Sequence, residues 1–168
     1  MTFTLIGGMS NTCRRRTPAC TALSRPDPPP TRHRLVNIMS EEIHYVLDAS
    51  AVLAFDREEP GSMVVEAALN GSVLSTVTLA EVIFRYAREG VARSTFASDL
   101  ERLGVRIEPF TAQDGALHAK LHTFDTKRSL SLGDRCCLAV AQRLGRTALT
   151  ADRYWGELDL PIDVQLIR

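Results

Sequence analysis

The sequence contains no run of about 20 apolar residues, so no helix it forms is long and apolar enough to span a bilayer. Its start has no basic cluster leading into an apolar stretch, which argues against a secretory signal. Cysteine is scarce and badly spaced for covalent or metal scaffolding. Cys13 and Cys20 lie in an irregular leader and Cys136 and Cys137 are neighbours, which is neither a disulfide framework nor a zinc-ligand repeat. Reduced, partly buried thiols in a cytoplasmic protein are expected. No G-x-x-x-x-G-K-[ST] loop occurs, which excludes a P-loop nucleotide site, and there is no internal repeat.

Net charge is also missing, at +0 by formal count, but the balance hides an asymmetry. Residues 1–38 carry six Arg against one Asp, and the remainder carries 14 Lys and Arg against 19 Asp and Glu. An acidic body does not attract a polyanion by bulk charge, so any such ligand must be met by local cations. The leader contains "RRR" and "PDPPP" with no sustained period, and it cannot bury enough apolar surface to offset its ordering entropy. Residues 1–38 are expected to be a disordered leader, either an over-long start with Met39 the natural one, or a basic arm for RNA or a partner. Residues 39–168 are expected to be the folded domain.

From Met39 strands and helices alternate. Strands are expected at 44–48, 72–76, 105–110, 147–150 and 164–167. Helices are expected at 61–70, 77–89, 94–103 with Ser94 as cap, 112–124 capped by Thr111, and 132–144 capped by Ser131 and closed by Gly145, with a short helical turn at 152–158. This alternation predicts an α/β fold, a parallel sheet with helices on both faces. Ligands in such sheets bind beyond the carboxyl ends of the strands, near a switch in strand order. The acids just after strands therefore matter most.

Four acids meet that description, each with a structural alternative. Asp48 ends the first strand and could merely cap the next turn. Glu81, flanked by Leu79, Ala80, Val82 and Ile83, suits the margin of a buried face or a lined cleft. Asp134 lies in the first turn after Ser131, where an acid stabilises a helix by about 0.3–1 kcal/mol without any catalysis. Asp152 follows "ALT" and could cap the last short helix. Together they fall on one edge of a doubly wound sheet. Two carboxylates about 4 Å apart repel by roughly 4 kcal/mol at an effective dielectric near 20. A hard divalent cation removes that cost, and Mg²⁺ suits an all-acid site without histidine. Phosphodiester hydrolysis is the chemistry such a site supports.

The blocks "VLDASAVLA", "STVTLAEV", "LSLGDRCCLAVAQRLG" and "ALTADRYW" resemble those of PIN-domain ribonucleases, most closely the VapC-type toxins of bacterial type II toxin–antitoxin pairs. The resemblance covers about residues 44–168. It implies a three-layer α/β/α sandwich with a parallel five-stranded sheet, and it puts Asp48, Glu81, Asp134 and Asp152 on the family's four acidic, metal-binding positions. It also implies RNA cleavage with Mg²⁺ or Mn²⁺, a homodimer, and inhibition by a cognate antitoxin protein. Ser50 matches a hydroxyl often found two residues after the first acid, where it binds a metal water or a phosphate; the alternative is a turn-stabilising serine.

Two other functions fit the same residues. Asp48 could be the nucleophile of a phosphatase, although Ser50 stands where a second acid is usual. The chain could also be a non-catalytic interaction domain. Arg135 and Arg153, each following a site acid, could touch RNA or pair with a neighbouring carboxylate. "HAKLH" spaces His118 and His122 one helical turn apart but lacks the glutamate of a zinc-protease motif. Tyr154 and Trp155 could stack on a base, but core or interface is the commoner use. The helices of 77–103 could form a dimer face, the alternative being core packing with a solvated arginine edge.

Overall fold

The computed structural model describes residues 44–124 and 130–168, so the expected leader lies outside the described residues. The described strands are β1 (Tyr45–Leu47), β2 (Val73–Ser75), β3 (Arg106–Glu108), β4 (Thr147–Thr150) and β5 (Val164–Leu166). The α-helices are α1 (Ala49–Asp56), α2 (Ser62–Ala68), α3 (Thr76–Arg88), α4 (Phe96–Arg102), α5 (Ala112–Lys120) and α6 (Leu132–Leu144). Short 3-10 turns follow α5 at Leu121–Phe124 and β4 at Arg153–Glu157.

All strand pairings are parallel and the order is β3-β2-β1-β4-β5. The chain grows outward from β1 to β3, then returns to β1's other side for β4 and β5. The switch in strand order therefore falls between β1 and β4, where Tyr45, Val46 and Leu47 pair with Thr147, Ala148 and Leu149.

The period of two along each strand divides the core. Leu47, Leu74 and Leu149 point to one face and pack with the buried residues of α1–α4. Val46, Val73 and Ala148 point to the other, against Leu138, Val140, Leu121 and Trp155. This is the expected three-layer α/β/α sandwich. Strands of three or four residues have little stability of their own. Burying each Leu or Val contributes about 1.5–3 kcal/mol, so the two flanking layers hold the sheet together.

Several helix ends follow the sequence signals. Ser131 and Thr111 each form a capping box with the aspartate three residues on, Asp134 and Asp114. Gly145 closes α6 in the left-handed region at φ 62°. Two features depart from expectation. Helix α1 was not foreseen, because Ala49, Ala51, Val52, Leu53 and Ala54 are all buried and the segment has no polar stripe to reveal a period. Ser94 does not cap α4. Thr95 occupies that position without a side-chain cap, and its hydroxyl donates to Asp99 Oδ2 at 2.9 Å.

Candidate active site

The carboxyl ends of β1 and β4 meet at the strand-order switch. The Asp48 amide donates to the Leu149 carbonyl at 3.0 Å, which fixes the backbone of the first acid against β4. Its Oδ2 accepts from Ser50 N at 3.2 Å, Ser50 Oγ at 2.5 Å and Thr150 Oγ1 at 2.9 Å. The Ser50 hydroxyl also accepts from the Ala151 amide at 2.9 Å, and Thr150 Oγ1 from the Asp152 amide at 3.0 Å. Asp48, Ser50, Thr150 and Asp152 thus form one web across two strands. Ser50 does stabilise the turn, and in doing so it grips the acid.

Asp48 is 4% exposed. Burial pushes its carboxyl above the ordinary value of 3.8; the Ser50 and Thr150 hydroxyls oppose the shift, and the charge of Asp134 adds to it. Every hydrogen bond it accepts from the described residues falls on Oδ2.

Asp134 sits at the third position of α6. Its Oδ2 accepts from Ser131 N at 2.7 Å, while Ser131 Oγ accepts from Asp134 N at 3.1 Å. The capping role is therefore real, but it coexists with electrostatic coupling to Asp48. Glu81 lies in α3, where Arg85 donates to its Oε1 at 2.6 and 3.2 Å. Its Oε2 occupies the space a side chain at Gly133 would need, so it rests against the first turn of α6. Asp152 caps the turn after β4, accepting from Tyr154 N at 3.0 Å.

The thiol of Cys137 lies one turn beyond Asp134. It is fully buried and donates to the Leu47 carbonyl at 3.6 Å. Burial pushes it well above 9.0, and the charges of Asp48, Asp134 and Glu81 all push it further. Asp152 is tied to Asp48 through Thr150 by its backbone amide, while its carboxylate caps the turn that follows. Among the described residues, however, no three Asp, Glu, His or Cys side chains form a ready metal cluster. Glu81 is turned onto Arg85 and Asp134 onto its own cap.

Two residues that sequence reasoning missed belong to this site. Thr150 reads as an ordinary strand residue, and its partner Asp48 is 102 positions away. Gly133 is a glycine inside a helix, which signals close approach only once the neighbour is known.

The remaining candidates lie elsewhere. Arg135 donates to the Leu130 carbonyl at 2.5 Å and to His118 Nε2 at 3.3 Å, rather than to a carboxylate. Burial and the Arg135 charge hold His118 below 6.5, and His122 Nδ1 donates to the Ala119 carbonyl at 2.6 Å, so the two histidines do not act as a pair. Tyr154 and Trp155 are buried in the core, out of reach of a base. Cys136 and Cys137 are free and buried, as expected.

No curated protein matches this sequence. Solved structures share the fold. FitAcB from Neisseria gonorrhoeae matches at 19% identity and TM-score 0.58, over 73% of this chain and 97% of that one. VapC20 from Mycobacterium tuberculosis, described as a sarcin–ricin loop cleaving toxin, matches at 19% identity and TM-score 0.54, over 67% and 93%. DNA-bound VapBC from Salmonella typhimurium matches at 14% identity and TM-score 0.58, over 75% and 99%. Identities this low speak for fold alone. A family model described as the PIN domain matches residues 45–160, well over half the chain, so on sequence and architecture together this protein belongs to the PIN-domain family.

Proposed function

We propose that this chain is a metal-dependent endoribonuclease, the toxin of a toxin–antitoxin pair acting in the cytoplasm. The observation that carries the reading is Asp48: a carboxylate at the strand-order switch, buried at an energetic cost, gripped on one oxygen and sharing the field of Asp134. Functional sites are where such costs are kept.

Asp48, Glu81, Asp134 and Asp152 would hold the ion. The donor set is all carboxylate, with hydroxyls behind it, which suits a hard cation that keeps some of its water. When bound, such an ion supplies an activated water and stabilisation of the leaving oxygen. The chain's own residues do the positioning. Ser50 and Thr150 hold Asp48 by Oδ2, and the Ser131 cap orients Asp134. Glu81 rests against the first turn of α6 over Gly133 and is proposed to exchange Arg85 for the ion.

Relatives described as VapBC and as a toxin–antitoxin complex from Klebsiella pneumoniae support an antitoxin partner. That partner is proposed to press a segment against the acidic edge and block RNA entry. Self-association into a homodimer is also proposed, through a face other than the arginine side of α3.

The test is induced expression in a naive host with mapping of new RNA ends. Growth arrest, relieved by the adjacent small gene and abolished by Asp48→Asn, is expected, and purified enzyme should lose cleavage in EDTA. Cleavage that survives both changes would overturn the reading. A trapped aspartyl-phosphate would favour the phosphatase alternative instead.

A further inference from the structure

An open groove of about 340 Å³ lies between the C-terminal halves of α1 and α3, lined by Leu53, Arg57, Arg85, Arg88 and Glu89. Three guanidiniums against the carboxylates of Glu89 and of Glu81, which pairs with Arg85, leave it cationic by one charge on a domain that is acidic by count. The charges are differently engaged. Arg57 is paired with Glu89 at 2.8 Å and stacked over Tyr86 at 5.2 Å. Arg85 shares an exposed pair with Glu81. Arg88 is exposed and has no ion-pair partner among the described residues.

Position makes the groove more than a solvated edge. Glu81, Arg85 and Arg88 follow one another along a single side of α3, spaced at i, i+4 and i+7, so Arg88 lies about 10 Å along the axis from Glu81. A strand with its scissile phosphate among the acids would bring the phosphates of nearby nucleotides to these arginines. Guanidinium groups bind phosphate oxygens through paired, charge-assisted hydrogen bonds. The groove thus supplies the local positive charge that the acidic body otherwise lacks.

We propose that Arg85 and Arg88, with Arg57 at the far end, form a phosphate-binding track that holds the RNA strand beyond the cleavage point. This rests on the ribonuclease reading and adds to it a contact zone that begins at Arg85, the partner of Glu81, and leads away along α3.

The experiment measures binding apart from cleavage. Full-length Asp48→Asn protein is titrated with a short fluorescein-labelled single-stranded RNA of mixed sequence, with anisotropy followed over a range of salt concentrations. Adding Arg85→Gln and Arg88→Gln should weaken binding roughly tenfold and reduce the log K against log salt slope by about 1.4, since each lost phosphate contact is worth about 0.7 on a single strand. The double lysine variant, which keeps both charges, should restore most of the slope. Both arginines are exposed, and the one pair broken is of a kind that adds little to stability; circular dichroism of the variants checks the fold. An unchanged slope in folded glutamine variants overturns the track. If that occurs while the wild-type chain still cleaves RNA, the nuclease reading stands and only the track is lost. If RNA binding is unchanged but capture of a co-expressed antitoxin fails, the groove belongs to a protein partner and the track is likewise overturned.

Discussion

At Asp48 the cost of burial can be measured through its dependence on pH. Its folded carboxyl lies above 3.8, so the ionised folded state is penalised relative to the unfolded chain. Stability from this group is greatest when it is protonated at acid pH, falls as pH rises from 3.8 through the folded value, and stays low above it. Asp48→Asn keeps the shape and can still accept from Ser50 and Thr150. It should therefore melt at or above the wild type at neutral pH, with the difference vanishing in acid, as read by thermal melts across pH. The same melts test the ion. Mn²⁺ at about 100 times its dissociation constant should stabilise the wild type by about 2.7 kcal/mol and leave Asp48→Asn unmoved. Gly133→Ala separates stability from activity at the same site. Alanine favours a helix by about 1 kcal/mol over glycine, so the fold should be no weaker. The added methyl displaces the Glu81 carboxylate, so cleavage should fall at least about tenfold, the effect of about 1.4 kcal/mol on the barrier. Wild-type activity in this variant would mean that Glu81 is dispensable.

Elements are also joined by an ionic group at the far end of α6 from Asp134. Arg143 of α6 donates to Asp114 of α5 at 2.6 Å and to Glu108 of β3 at 3.0 Å. Asp114 is fully buried. Burial opposes its charge, but the bonds from Arg143 and Thr111 outweigh that and hold its carboxyl below 3.8. Removing the arginine leaves a buried carboxylate without its counter-charge, so Arg143→Met should destabilise by about 3 kcal/mol at neutral pH. In the wild type the Asp114 contribution is present above 3.8 and is lost as pH falls through the lower folded value, so the gap between variant and wild type should close in acid. Chemical denaturation at two pH values checks both claims. At this scale the sequence was informative wherever a helix had two unlike faces or a local cap. Thr111 with Asp114 and Ser131 with Asp134 are contacts three residues apart, so a linear reading can find them. Helix α1 escaped because burial on nearly every side removes the contrast that periodicity depends on.

At the scale of the whole molecule, the outer side of α3 is the surface proposed to meet RNA. Phe84 is 61% exposed although Tyr86, two residues on, is buried beside Phe96. Phe84 neighbours Arg88 on that side, so Phe84→Glu should leave sedimentation unchanged; a shift from dimer to monomer would give the side to a second copy and overturn the phosphate track. A wild type that sediments as a monomer at all concentrations removes the dimer from the proposal. The linear sequence determined the order of the strands and of every helix but α1, the layering they demand, and which acids stand at strand ends, because these depend on local periodicity and composition. Only the tertiary structure decided that β4 returns beside β1, and with it that Thr150 grips Asp48, that Gly133 makes room for Glu81, and that Arg57 faces Arg85 and Arg88 across a groove. Those contacts join residues about 30 to 100 positions apart. They form when two apolar faces are buried against one sheet, and no local preference encodes which side chains then meet.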